Sequence, residues 1–273
     1  MLVEDTAQQI EALEIQGATR VAIESIKALE DIADDVDDQT LQENADRLLE
    51  TRPTEPALQN AVRFVLETGR FDEALKHFEE AKTAINSYGA ELLADDDAVY
   101  THCHSSTVEG IIIEATEHTD IHVYNTETRP RFQGRITAEE LSDAGISVDH
   151  FVDSAAIKAL DGADRMLIGA DAVTADGTVY NKIGSRLIAE AAVRRDVPVH
   201  VCTDSWKLWQ KEAPVAVEER SHDEVWDSPP TNVSIHNPAF EAVPADLIDS
   251  IVTELGVLEP DAVADAYHHH YDH

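Results

Sequence analysis

Apolar residues recur every three to four positions through the first third of the chain. The stripe is clear over Ala18 to Leu29, Leu41 to Glu50, Ala57 to Thr68 and Phe71 to Tyr88, with breaks at Pro53, Pro56 and Gly69. That spacing lines one face of an α-helix, so residues 1–92 are expected to form a helical N-terminal domain. From about residue 97 the period changes. Short apolar runs at Ala98–His102, His122–Asn125, Asp149–Val152, Arg165–Gly169 and Val197–Cys202 read as strands. Helical patterns fall between them at Thr107–Thr116, Ala138–Ala144, Ser154–Leu160 and Ser185–Arg194. Strands that alternate with helices make a parallel sheet covered on both faces, which predicts an α/β domain over residues 93–273. Asp176-Gly177 is a turn signal inside a strand-like stretch, so a hairpin should interrupt this unit.

Charge narrows the partners. The 273 residues include 55 acidic and 20 basic ones, for a formal charge of −35. A nucleic-acid or anionic-membrane binder needs a basic face to neutralise phosphates, so neither class is expected. The acidic surplus sits in runs such as Asp31-Ile-Ala-Asp-Asp-Val-Asp-Asp38 and Asp95-Asp-Asp97. Molar salt, with a Debye length of about 3 Å, would screen such self-repulsion, and a halophilic source is expected. Two cysteines make no disulfide framework and fit a reducing compartment. With no apolar run near the roughly 20 residues of a membrane span and no signal-peptide pattern at Met1-Leu-Val-Glu-Asp5, a cytoplasmic location is expected.

Ligands of open parallel sheets bind beyond the carboxyl ends of the strands. Those ends carry Cys103, then Thr126-Glu-Thr-Arg-Pro130, Asp153 and Ser154, Ala170-Asp171, and Thr203-Asp-Ser-Trp-Lys207. Ser105, Ser106 and Thr107 open the helix after Cys103, and a helix N-terminus suits a phosphate and lowers a thiol pKa. Asp153, Ser154 and Thr203 are equally explained as helix caps. In a chain that has mostly discarded basic residues, those kept in loops suggest anion binding: Arg52, Lys182 with Arg186, and the group Arg129, Arg131 and Arg135. Arg20, Arg47, Arg194 and Arg195 sit in helical patterns, where pairing with carboxylates is the plainer reading. Cys202 reads as core, and Trp206 with Lys207 as a pocket wall or a helix start. No metal site is expected: His102, Cys103 and His104 would alternate across a strand, and no second pair stands at zinc spacing. The tail Tyr267-His-His-His-Tyr-Asp-His273 reads as a solvated terminus.

Thr101-His-Cys-His-Ser-Ser106, Glu127-Thr-Arg-Pro-Arg-Phe-Gln-Gly134, Gly169-Ala-Asp171, Asn181-Lys-Ile-Gly184 and Asn237-Pro-Ala-Phe240 occur in an order that resembles the archaeal ribose-1,5-bisphosphate isomerase family. Its relatives are the methylthioribose-1-phosphate isomerases and the alpha, beta and delta subunits of translation initiation factor 2B. Thr51-Arg-Pro-Thr54 and Asn60-Ala-Val-Arg63 also fit, and the resemblance spans about residues 12 to 262. It implies a helical N-terminal domain followed by a Rossmann-like parallel-sheet domain, with the site between them. It implies an aldose–ketose isomerase with Cys103 and Asp171 as the proton-transfer pair, Asp171 protonated in the closed site. Phosphate and substrate holding fall to Arg52, Ser105, Ser106, Asn181 and Lys182, with Arg129 and the segment around Gln16 and Gly17.

Two departures stand out. Ile15-Gln-Gly-Ala18 occupies the place of the family's Arg-Gly-Ala, so Gln16 brings hydrogen bonds but no charge. His104 stands where asparagine is commoner. The expectation is therefore an enzyme converting ribose 1,5-bisphosphate to ribulose 1,5-bisphosphate in nucleotide salvage, a homo-oligomer (dimer or hexamer), with no cofactor and with AMP as an allosteric activator. Two alternatives remain open: a non-catalytic regulatory or nucleotide-sensing subunit like those of initiation factor 2B, and a methylthioribose-1-phosphate isomerase.

Overall fold

The computed structural model describes residues 3–211 and 215–271. Five helices come first: α1 (Val3–Glu11), α2 (Ala18–Ala33), α3 (Asp38–Thr51), α4 (Pro56–Thr68) and α5 (Phe71–Ala90). Their ends follow from local chemistry. The Asp37 carboxylate caps α3 by accepting from the Thr40 N–H at 2.8 Å. Pro56 starts α4 where no N–H is needed, and Gly69 ends it in the left-handed conformation at φ 68°. The helix α1 was not foreseen in the sequence.

Then come β1 (Ala98–Thr101), α6 (Ser106–Ala115), β2 (His122–Thr126), α7 (Gln133–Asp143), β3 (Ser147–Phe151), α8 (Ala156–Leu160) and β4 (Arg165–Ile168). The chain continues through β5 (Ala172–Val173), β6 (Val179–Lys182), α9 (Ser185–Val193), β7 (Val199–Cys202), β8 (Phe240–Val243), β9 (Ser250–Thr253), β10 (Gly256–Leu258) and α10 (Val263–Tyr271). All five expected strands and the four helices between them are present, with bounds shifted by up to five residues. The main sheet has the order β10-β9-β7-β4-β1-β2-β3, parallel except for β10. From β3 to β9 this is the doubly wound order, which reverses between β1 and β4. The hairpin foreseen at Asp176-Gly177 joins β5 and β6, which form a small antiparallel sheet with β8.

Alternate residues of the central strands feed two cores. Tyr100, Met166, Ile168, Val201 and Ile251 pack on one face, in a core continuous with Ile10, Ile26 and Leu58 of the N-terminal helices. Val99, Leu167, Cys202 and Val252 pack on the other, under Ile111 and Ile112 of α6 and Leu141 of α7. Each fully buried side chain of this size contributes about 1.5–3 kcal/mol. Cys202 is fully buried, as expected of a core residue. No described helix is long and apolar enough to cross a membrane.

The tail corrects the sequence reading. Residues 263–271 form α10, with Val263, Ala264 and Tyr267 buried. They lie at i, i+1 and i+4, one face of a helix, and the histidine run masked this short stripe. Asp272 and His273, the end of that expected solvated terminus, lie outside the described residues.

Candidate active site

Cys103 leaves β1 and Asp171 leaves β4, neighbouring strands on either side of the point where the strand order reverses. The two ends approach closely: a Cβ on Gly169 would lie 2.7 Å from the Ser105 Oγ, so a side chain there would have to displace Ser105. Strand β1 stops at Thr101, so His102, Cys103 and His104 do not alternate as in a strand. Cys103 adopts φ 70°, rare for a residue with a side chain. Its conformation is braced on both sides. Its N–H donates to Thr128 Oγ1 at 3.0 Å, and Thr137 Oγ1 donates to its carbonyl at 3.1 Å. Thr128 is held in turn, because Asp153 accepts from the N–H groups of Thr128 (2.8 Å) and Arg129 (2.7 Å). Asp153 is thus the post behind the Cys103 loop rather than the helix cap it could have been.

Burial pushes the Cys103 thiol up to about 11, and the nearby Lys182 ammonium works against it. The sulfur is therefore a neutral thiol near pH 7, the reverse of the lowered pKa expected from a helix N-terminus. Burial also raises Asp171, opposed by Lys207 and Lys182. His102 is a neutral spacer: its buried ring donates from Nε2 to the Ile183 carbonyl (2.9 Å) and bonds Thr126 Oγ1 through Nδ1 (3.1 Å).

The charges of Lys182 and Lys207 both act on Asp171. Lys182, at the end of β6, lies 4.6 Å over the Phe240 ring. Asn181 is buried and donates to Ser185 Oγ at 2.9 Å, while that hydroxyl donates to the Lys182 carbonyl at 2.7 Å. Lys207 is buried and donates to the Ala170 carbonyl at 2.7 Å, beside Asp171. It therefore serves the site, although the sequence offered it only as a wall or a helix start.

The turn that carries Lys207 is locked from behind. Asp204 Oδ1 accepts from Trp206 N (2.7 Å) and bonds His77 Nε2 of α5 (3.1 Å). Glu254 accepts from the Ser205 N–H (3.0 Å), the Ser205 hydroxyl and the Tyr271 hydroxyl (3.1 Å). Burial works against a charged His77 ring, but the Asp204 carboxylate outweighs it and the pKa is raised. His77 stacks on Trp206 at 4.0 Å, and Asn60 of α4 donates to the Trp206 and Leu208 carbonyls.

The retained arginines divide. Arg52 is braced at the entry to α4, donating to the Ile10 carbonyl (2.9 Å) with Nε 3.8 Å from Glu55. Pairing with a carboxylate is thus already present at a residue expected to be free for anions. Glu55 was missed in the sequence; it stands at the N-cap position of α4, yet its side chain makes no cap bond. Burial pushes Glu55 up to about 7, the Asp171 charge adds to this, and Arg52 and Lys207 oppose it. Its Oε2 is buried without a partner. Arg131, Arg135 and Arg186 also pair with carboxylates (Glu224, Glu127 and Glu190), against the anion-binding expectation. Arg129 is exposed, lies over the Phe132 ring and donates to the Val225 carbonyl at 3.3 Å. Ser105 caps α6 and Ser106 is exposed at its first turn. Gln16 is exposed and turns its amide back onto the Leu13 carbonyl (2.5 Å), and Gly17 takes φ 87° before α2.

Comparison with known proteins shows the family. The profile of the Initiation factor 2 subunit family matches residues 14–260. A ribose 1,5-bisphosphate isomerase of Haloterrigena turkmenica is 37% identical over 94% of this chain and 90% of its own length. One of Thermococcus kodakarensis is 34% identical over 96% of this chain and 92% of its own. The crystal structure of the Pyrococcus horikoshii OT3 translation initiation factor eIF-2B superimposes with a TM-score of 0.85 at 30% identity, covering 94% of this chain and 97% of that one. The chain therefore belongs to the initiation factor 2 subunit family, and with such relatives along nearly its whole length it is an isomerase.

Proposed function

We propose that this enzyme isomerises ribose 1,5-bisphosphate to ribulose 1,5-bisphosphate with Cys103 and Asp171 as its proton-transfer pair. The observation that carries this reading is the emergence of a thiol and a carboxyl from adjacent strands at the reversal point, each pushed toward its neutral form, with two lysines beside them. In this reading both groups start with a proton. Asp171 gives its proton to the ring oxygen, the C1–O4 bond breaks, and the 1-phosphate stays on C1. The Asp171 carboxylate next takes the C2 proton to form the enol. The Cys103 thiol protonates C1, and its thiolate accepts the enol proton, leaving the C2 ketone. Each group ends as it began, which suits acid–base work in a closed site.

Arg52, Lys182 and Lys207, with Ser105, Ser106 and Asn181, would hold the two phosphates. Three cations favour a bisphosphate over a 5-thioether, which would need an apolar pocket. Arg52 would exchange Glu55 for a phosphate. Arg129, Gln16 and Gly17 would be outer contacts.

The test is turnover in molar KCl, with and without AMP, read as ribulose 1,5-bisphosphate. Turnover lost in Cys103→Ser and Asp171→Asn is expected, with AMP raising the wild-type rate. Wild-type rates in both variants would remove the pair. The likeness to a structure described as an initiation factor keeps the regulatory reading in view. Capture of initiation factor 2 by a folded protein without turnover would favour it. Sedimentation in the same buffer would show whether the expected dimer or hexamer forms, and dialysis to millimolar salt should destabilise a halophilic chain.

A further inference from the structure

The loop that carries Cys103 has a second face. His104 directs Nε2 between two carboxylates, 3.4 Å from Glu109 Oε2 of α6 and 3.3 Å from Glu140 Oε2 of α7. Ligand-type atoms of all three residues lie within 4.8 Å of one another. The Glu109 side chain is only 6% exposed, and its Oε1 is buried with no hydrogen-bond partner. A buried carboxylate oxygen left bare is costly.

A hydrogen bond accounts for only one of these two contacts, that of His104 Nε2 with Glu140 Oε2. A single Nε2 proton points in one direction and serves one oxygen, whereas two oxygens sit at nearly equal distances. Charge-assisted N–H···O bonds run at about 2.7–2.9 Å, shorter than either. Two atoms bound at about 2.0–2.2 Å to one tetrahedral zinc are separated by about 3.3–3.4 Å, as found here. A cation on the Nε2 lone pair would serve both carboxylates at once. His104 and Glu140 are 30% and 54% exposed, so water can complete the shell.

We propose that His104, Glu109 and Glu140 form a divalent transition-metal site on the outer face of the Cys103 loop. One imidazole and two carboxylates suit zinc or manganese better than calcium or magnesium, which take oxygen ligands. The sequence expectation of no metal considered residues 102–104 as a strand. The other ligands come from two helices instead. Occupancy would tie α6 and α7 to the residue following Cys103.

The probes are Zn²⁺ and, separately, Mn²⁺, titrated calorimetrically into the metal-stripped 273-residue chain. Changing His268, His269 and His270 to Ala removes competing imidazoles, and molar KCl suppresses diffuse binding to the acidic surface. One saturable site per chain is expected, with a rise in thermal midpoint on saturation. Glu140→Gln alters an exposed side chain and should leave the fold intact. It and His104→Asn should each weaken binding at least about tenfold. No saturable site, or a site whose affinity neither variant changes, overturns the proposal.

Discussion

Two imidazole–carboxylate clusters flank the candidate site, each joined to one of its loops. Behind the β7 loop, His77, Asp204, Glu254, Ser205 and Tyr271 satisfy one another, and the Lys207 turn is held in one position. Beside the Cys103 loop, His104 is shared between Glu109 and Glu140, and one buried oxygen has no partner. The first cluster is complete as a structural device. The second has the composition of a binding site. Satisfaction of hydrogen bonds, rather than residue types, separates them, since both contain one histidine and two acids.

The comparison can be broken at several points. The largest effect is expected at the centre between the clusters: Asp171→Asn and Cys103→Ser should each lower turnover by about 10²–10⁴-fold while leaving the unfolding midpoint nearly unchanged. A large loss of stability in either would make them structural. Next, Asp204→Ala removes the acceptor shared by His77 and Trp206, and should cost about 3–5 kcal/mol in denaturant unfolding. A loss under about 1 kcal/mol would mean that the β7 cluster is not the lock described.

Glu55 gives a pH-dependent effect of intermediate size. Its pKa rises from the ordinary 4.5 to about 7 on folding, so the folded state holds more protons between these values. The stability it contributes is fully present below pH 4.5 and is lost as pH rises through 7. At 1.36 kcal/mol per unit the loss is at most about 3 kcal/mol. Glu55→Gln should therefore be more stable than wild type at pH 8, with the difference shrinking toward pH 4.5. Parallel curves for the two proteins would show that Glu55 is not buried in its charged form. The smallest effect sharpens the contrast: Glu140→Gln without metal should change stability by no more than about 0.5 kcal/mol, as at other open surface positions.

The strands of the α/β unit and the chemistry at their ends were legible because both are local: an apolar run, then a polar residue. Cys103 and Asp171 were read that way, whereas Lys182 was singled out as a retained cation and Asn181 came only from the family resemblance. What escaped depends on distant convergence. Lys207 belongs to the site because its turn is pinned by α5, β9–β10 and α10. Glu55 looks like a cap and turns inward. Glu109 left a readable trace. At 100° per residue it stands beside Val108 on the arc with Ile111, Ile112 and Ala115, the buried side of α6. Strands β9 and β10 follow a long irregular stretch, so no alternation with helices announced them. The arginines misled because an excess of acid supplies them with carboxylate partners, as Glu127, Glu190 and Glu224 do.

The Tyr271 hydroxyl lies 3.4 Å from His77 Nδ1, and 194 positions separate the two residues. Closing so large a loop carries a high entropic cost and requires the sheet already in place, so such contacts form late. In refolding from denaturant, helix and strand signals should return before the Lys207 turn is fixed. Catalysis should therefore lag behind the spectroscopic recovery of the fold, and the interval between them measures the docking of the last helix.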